Sequence, residues 1–229
     1  MTRFLLRGKP ATIEAVQKLL SDRGHWRKGR SAYEIAHSWI NAADGVPKPV
    51  RNVLNGCPIY RRAELVEAHF EKATDLRSAG ASSETDLLVH LKLADGSSAV
   101  IAVEGKAGES FGPIIRTWLN HANNVGDGKQ RRLESLCKYF GLATESVLDL
   151  RYQLLHRTAA AMFETERCKA RQAMVLIHSF AKRGEDFADY KKFLEKLGIV
   201  AGGDSGITES REIHGIELRF AWVADQASA

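Results

Sequence analysis

Residues 83–112 read SETDLLVHLKLADGSSAVIAVEGKAGESFG, and the fold turns on how this stretch is parsed. Two apolar runs, Asp86–Leu93 and Ser98–Val103, flank a short polar break, Ala94-Asp95-Gly96. Period-2 alternation, β-branched residues and an Asp-Gly turn together spell a β-hairpin. Side chains alternate along a strand, so Leu87, Val89, Leu91 and Leu93 share one face and Asp86, Leu88, His90 and Lys92 the other. In the second run Val100, Ala102, Glu104 and Lys106 share a face.

Loop length decides whether the acids meet. A two-residue loop would set Asp86 opposite Gly105 and turn it away from Glu104. A three-residue loop, with Gly96 in the left-handed conformation, pairs Leu93 with Ser97 and Asp86 with Glu104. The second register is the expected one, because it places Asp86, Glu104 and Lys106 on one face at the open end of the hairpin.

Two carboxylates side by side repel, and burying them uncompensated is costly. A divalent cation removes the conflict, and hard oxygen ligands suit Mg²⁺ or Mn²⁺. Lys106 can then hold an attacking water or offset charge on a phosphate. A half-exposed hairpin with solvated charges is the plain alternative. Against it stand the apolar strand that precedes the acid and the arrival of Glu104-Gly105-Lys106 at the strand's end.

Asp86 followed by Glu104-Gly105-Lys106 at the end of the next strand resembles the signature of the PD-(D/E)XK, or restriction-endonuclease-like, nuclease superfamily. Thr85 stands where that signature has its Pro. More narrowly, IAVEGKAGESFGP, the later RYQLLHRTAAA and the early HWRKGRSA resemble a family of uncharacterised bacterial proteins associated with that superfamily. The resemblance implies Asp86, Glu104 and the Gly105 carbonyl as metal ligands. It also implies a third acid from the helix before the hairpin, best matched by Glu67 with Glu64 next. From a later helix, Gln153 and His156 are implied to approach the metal site or the nucleic-acid backbone.

The 229 residues suffice for one well-filled core. Apolar content of 44% and charged content of 27% are ordinary for a globular protein. No run approaches the ~18 apolar residues of a membrane span, and MTRFLLRGKPA makes a poor signal peptide. A net charge of +5 and a pI near 9.1 permit nucleic-acid binding without requiring it. Cys57, Cys137 and Cys168 fit neither a disulfide framework nor a zinc site, and they suit a reducing cytoplasm. The eight histidines form no HExxH-like spacing, and no phosphate-binding glycine loop is present.

Along the chain, Thr12 caps a helix that ends near Gly24. Arg23 to Arg30 (RGHWRKGR) is the most basic segment. Trp26, Arg27, Lys28 and Arg30 suit phosphate contact with base stacking, although Trp26 packed in the core is equally compatible. Ser31 and Glu34 read as a capping box for the next helix. A helix is expected at about 61–73, with Leu65, Val66, His69 and Phe70 buried and Glu64, Glu67 and Glu71 on another face. Pro113 opens a helix to about Asn123, and Gly126-Asp127-Gly128 breaks it. Residues 129–140 form a further helix whose exterior carries Lys129, Arg131, Arg132 and Lys138. A long helix over about 145–169 sets Gln153, His156, Arg157 and Glu164 apart from its core stripe. A doubly buried strand at 173–180, a helix at 186–197, a Gly/Ser-rich loop at 201–210 and a last strand at 216–223 complete the chain.

The expected fold is α/β: a mixed central β-sheet flanked by helices, with a restriction-endonuclease-like core over 59–229. An N-terminal helical addition (1–58) packs on that core. The expected function is metal-dependent phosphodiester hydrolysis, with DNA in preference to RNA implied by the superfamily resemblance alone and homo-oligomers left open. The alternative is a non-catalytic module that keeps the fold and binds nucleic acid or protein. A small-molecule hydrolase is disfavoured by the lack of a nucleophile elbow or triad spacing.

Overall fold

A computed structural model describes residues 3–21, 26–78, 80–120, 128–181, 184–201 and 206–227. The hairpin forms from β4 (Ser83–Lys92) and β5 (Ser98–Lys106), paired from Lys92 opposite Ser98 to Leu87 opposite Val103. Its three-residue loop is closed by Leu93 N–H donating to Ser97 O at 2.8 Å and Gly96 N–H donating to Leu93 O at 3.0 Å. Gly96 has φ +86°, which a residue without Cβ adopts freely. Asp95 Oδ1 accepts the Ser97 N–H at 2.9 Å and locks the turn.

Among the described residues, six further strands extend the hairpin into a mixed sheet. They are β1 (Phe4–Leu6), β2 (Lys9–Pro10), β3 (Glu64–Thr74), β6 (Gln172–Ser179), β7 (Arg211–Ile213) and β8 (Ile216–Ala224). The order is β2-β1-β3-β4-β5-β6-β8-β7, with β1·β3, β5·β6 and β6·β8 parallel. The central strands β5 and β6 are buried on both faces, as the nearly all apolar run AMVLIHSF leads one to expect.

Helices cover the sheet on both sides. On one face lie α1 (Ile13–Ser21), α2 (Ser31–Ile40) and α3 (Lys48–Gly56), whose Val16, Leu20, Ile35, Trp39, Val50 and Leu54 pack against Leu87, Val89, Ile101 and Val103. On the other lie α4 (Ile115–Asn120), α5 (Gly128–Phe140), α6 (Tyr152–Arg167) and α7 (Glu185–Lys196), over Leu88, Val100, Ala102 and Val175. The N-terminal segment therefore packs on the core as one whole helical layer, and it also adds β1 and β2 to the sheet.

Three local expectations are corrected. Residues 64–74 are strand β3, not a helix. A bulge between Leu65 and Glu67 inserts Val66 into the register, so the inward residues Leu65 and Ala68 fall three apart and imitate helical spacing. Val66 itself is exposed. The long helix does not run from 145: a 3-10 turn at Thr144–Val147 is separated from α6. Between them the Leu148 and Leu150 carbonyls accept the N–H groups of Arg116 and Ile115, so the helical ladder cannot use them. Arg132 belongs to the interior rather than the basic exterior of α5, and it donates to Ala81 O at 2.7 Å.

The expected helix end at Gly24, the Gly126-Asp127 break, Arg23 and residues 202–205 of the 201–210 loop lie outside the described residues. Among the described residues, no helix is long and apolar enough to cross a membrane.

Candidate active site

The open end of the hairpin meets the first turns of α6, and a cavity of about 950 Å³ lies between them. Glu104 and Lys106 come from β5, on the face that also carries Val100 and Ala102. Asp86 comes from β4, one step past the last regular pair, and its Oδ2 accepts the Gly105 N–H at 2.9 Å. Gln153 and Arg157 stand one helical turn apart on α6 and reach down onto the same strands. All five line the cavity.

Glu104 is the hub. Its Oε1 accepts from Lys106 Nζ at 2.9 Å and from Gln153 Nε2 at 2.7 Å. Its Oε2 accepts from Arg157 Nε at 2.5 Å. Lys106 Nζ also donates to Gln153 Oε1 at 3.1 Å and sits 4.7 Å from the centre of the Phe111 ring. Burial would raise the Glu104 pKa, but Arg157 and Lys106 outweigh it and hold the carboxyl down at about 2.

Asp86 is balanced the other way. Burial and the neighbouring Glu104 charge push its pKa up to about 6. Arg157 opposes this only from 3.6 Å, Nη2 to Oδ1, and Lys106 and the Gly105 N–H add to the opposition. The Asp86 side chain is 24% exposed, toward the cavity. The site thus holds one firmly ionised acid and one acid whose charge is incompletely offset.

Gly105 fixes the other face. A Cβ there would meet Ile35 Cγ1 at 2.6 Å and Ser31 Cβ at 3.1 Å, so only glycine lets the start of α2 lie on the strand. Backbone groups alternate sides along a strand. Gly105 N–H points toward Asp86 whereas Lys106 O accepts from Phe180 on the β6 side, so the Gly105 carbonyl faces the Asp86 edge.

The start of α2 is capped from the site. Glu109 Oε1 accepts the Ser31 N–H at 3.1 Å, and its Oε2 accepts the Ala107 N–H at 2.6 Å. The expected Ser31/Glu34 capping box is absent because Arg30, not Ser31, is the N-cap residue; Glu34 accepts the Gly29 N–H instead. At its far end α2 is pinned by Trp39 Nε1 donating to the buried His178, whose other nitrogen lies 3.0 Å from Asp225. These contacts hold Arg27 and Arg30 in the cavity wall. Lys28 is exposed and does not line the cavity. Trp26 is half-buried against Tyr33 and His37, so its ring belongs to the α2 packing rather than to a stacking platform over the site.

His156 lines the cavity, with Nδ1 2.9 Å from Ser83 Oγ, and Ser83 Oγ accepts from Arg157 Nη1 at 3.0 Å. Burial and the adjacent Arg157 depress the His156 pKa to about 3, so the ring is neutral.

Glu67 is not brought to this site. It lies opposite His90 on β4, and its Oε1 is 3.0 Å from His69 Nε2. The acid that β3 does bring is Glu71, which falls between the pairs Phe70–Leu87 and Lys72–Thr85 and therefore stands level with Asp86. Glu71 has φ +49°, a conformation costly for a side-chain-bearing residue. Glu84 lines the cavity as well. Arg157 is the residue whose weight was missed; its position four after Gln153 on one helix face was the available signal.

Residues 9–227 match the family model described as Domain of unknown function (DUF6946), and the chain belongs to that family. No curated protein matches the chain. No solved structure matches it either.

Proposed function

We propose that this member of the family is a metal-dependent nuclease with a restriction-endonuclease-like core, hydrolysing phosphodiester bonds of DNA in preference to RNA. The observation that carries the reading is the convergence of Asp86, Glu104 and Lys106 on one cavity whose wall includes Arg27 and Arg30. The preference for DNA rests on resemblance to the PD-(D/E)XK nucleases alone. The three free cysteines suit a cytoplasmic setting.

The donor set fits a hard cation. Asp86 presents an oxygen to the cavity, and its raised pKa marks negative charge that the resident cations leave incompletely offset. Asp86, Glu104 and the Gly105 carbonyl would hold Mg²⁺ or Mn²⁺, and Glu71 lines the same cavity. When bound, such an ion lowers the pKa of water and polarises a phosphate. Lys106, held between Glu104 and Gln153, orients the nucleophile and offsets charge developing on the phosphate. Arg157 keeps Glu104 ionised and fixed in direction. Arg27 and Arg30 provide charge for flanking phosphates.

One observation favours the second reading, a non-catalytic binding module. Arg157 already lies between the two carboxylates and supplies much of the counter-charge. Melting temperature with and without Mg²⁺ or Mn²⁺ separates the two. The nuclease reading expects a metal-dependent rise in the wild type that Asp86→Asn lacks. No rise in either protein would favour the binding module.

A further inference from the structure

Glu67, excluded from the cavity, belongs to a different cluster. On β3 it is two residues from His69, so the two side chains share a face, and His90 stands opposite Glu67 on β4. One potential ligand atom from each of the three lies within 4.8 Å of the others. Glu67 Oε1 and His69 Nε2 are 3.0 Å apart, and a separation of about 3.3–3.4 Å would let both bind one tetrahedral ion with bonds of about 2.0–2.1 Å. The two imidazoles meet edge to face at 5.5 Å.

His90 carries the decisive feature. Its Nδ1 lies 3.7 Å from Cys168 Sγ, at the C-terminal end of α6, while its Nε2 is buried with no hydrogen-bond partner among the described residues. The Glu67–His69 contact accounts for those two side chains but leaves the His90 Nε2 desolvated and unused. A metal ion beside Glu67 and His69 would use it. A ligating histidine whose second nitrogen is held by a neighbour is the usual support for such a site, and Cys168 is in that position.

The geometry points to a second metal site, in which Glu67, His69 and His90 ligate one zinc-type divalent ion and Cys168 orients His90. Two imidazoles and one carboxylate select a borderline transition metal over Mg²⁺, and three protein ligands leave a fourth position open. The site ties β3 to β4 at the Val66 bulge and stands at the opposite end of α6 from the cavity. It does not rest on the nuclease reading.

The test strips the purified full chain with a chelator, returns Zn²⁺ alone, and measures metal retained after desalting. The expected result is one ion per chain in wild type and in Asp86→Asn, and none in His69→Gln or His90→Gln. Cys168→Ala keeps the stoichiometry but binds about tenfold more weakly. To guard against variants that fail to fold, histidine ring NMR on the wild type follows the same titration. Two of the eight histidines should shift, and they should be the two whose signals disappear in the variants. No zinc retained by wild type, retention unaffected in both His variants, or ring shifts at other histidines would each overturn the assignment. An intense thiolate band in the Co²⁺-substituted protein would overturn the orienting role of Cys168.

Discussion

Replacing Asp86 with Asn should stabilise the metal-free protein at alkaline pH, an unusual outcome for a half-buried polar residue. The folded-state pKa of Asp86 is raised from 3.8 to about 6. A raised acid adds stability below its unfolded pKa and loses it as pH climbs through the folded pKa, so the cost of ionising Asp86 grows between those two values. At ~1.36 kcal/mol per pKa unit, the full cost above pH ~6 is about 3 kcal/mol. Asn never ionises, and its side-chain oxygen can still accept the Gly105 N–H. Between about pH 4.5 and about pH 8, the stability of Asp86→Asn relative to wild type should rise by about 2 kcal/mol. For a chain of this size that corresponds to about 4–8 °C in Tm. Urea melts of both proteins with chelator present, at the two pH values, read this difference directly and cancel any pH-independent packing change. An Asn variant equally destabilised at both values would refute the claim that Asp86 carries uncompensated charge. Repeating the melts with Mg²⁺ should stabilise only the wild type.

Arg157→Gln removes the cation shared by Glu104 and Asp86 and should cost about 3–5 kcal/mol in urea melts, with the loss partly recovered by Mg²⁺. Gly105→Ala forces a Cβ into Ile35 and should destabilise by about 1–3 kcal/mol through displacement of α2. Arg27→Ala and Arg30→Ala should each weaken DNA binding and reduce the slope of log affinity against log salt by about 0.9 for each phosphate no longer neutralised, with Tm unchanged.

The hairpin was legible because a single glycine at the third loop position and the apolar alternation allowed only one register that kept both carboxylates together. The buried strand β6 and helix α7 were equally plain from their nearly all apolar and amphipathic patterns. β3 was not. One inserted residue, Val66, converts a period of two into a spacing of three, and a window of eleven residues cannot distinguish that from a helix. That error carried Glu67 into the wrong site, since its neighbours on a strand are His69 and His90 rather than the next helical turn. The break before α6 was hidden because its cause, backbone pairing with residues 114–116, is non-local. Arg157 was visible as a polar helix residue, but only the fold shows that its guanidinium lies between two acids seventy-one and fifty-three positions away. The cap of α2 by Glu109 is hidden for the same reason: its partner Ser31 is 78 residues distant.

Cleavage of labelled single- and double-stranded DNA and RNA with Mg²⁺ or Mn²⁺ tests the central claim most directly, comparing wild type with Lys106→Ala and Glu104→Ala beside salt-titrated binding. The wild type should cut DNA only with metal. Lys106→Ala should lose cutting while keeping the metal-induced rise in Tm, because Lys106 acts on the nucleophile and phosphate and is not a ligand. Glu104→Ala should lose cutting while still binding nucleic acid. A wild type that cuts no substrate, yet binds tightly and indifferently to metal and to Glu104→Ala, would contradict the account.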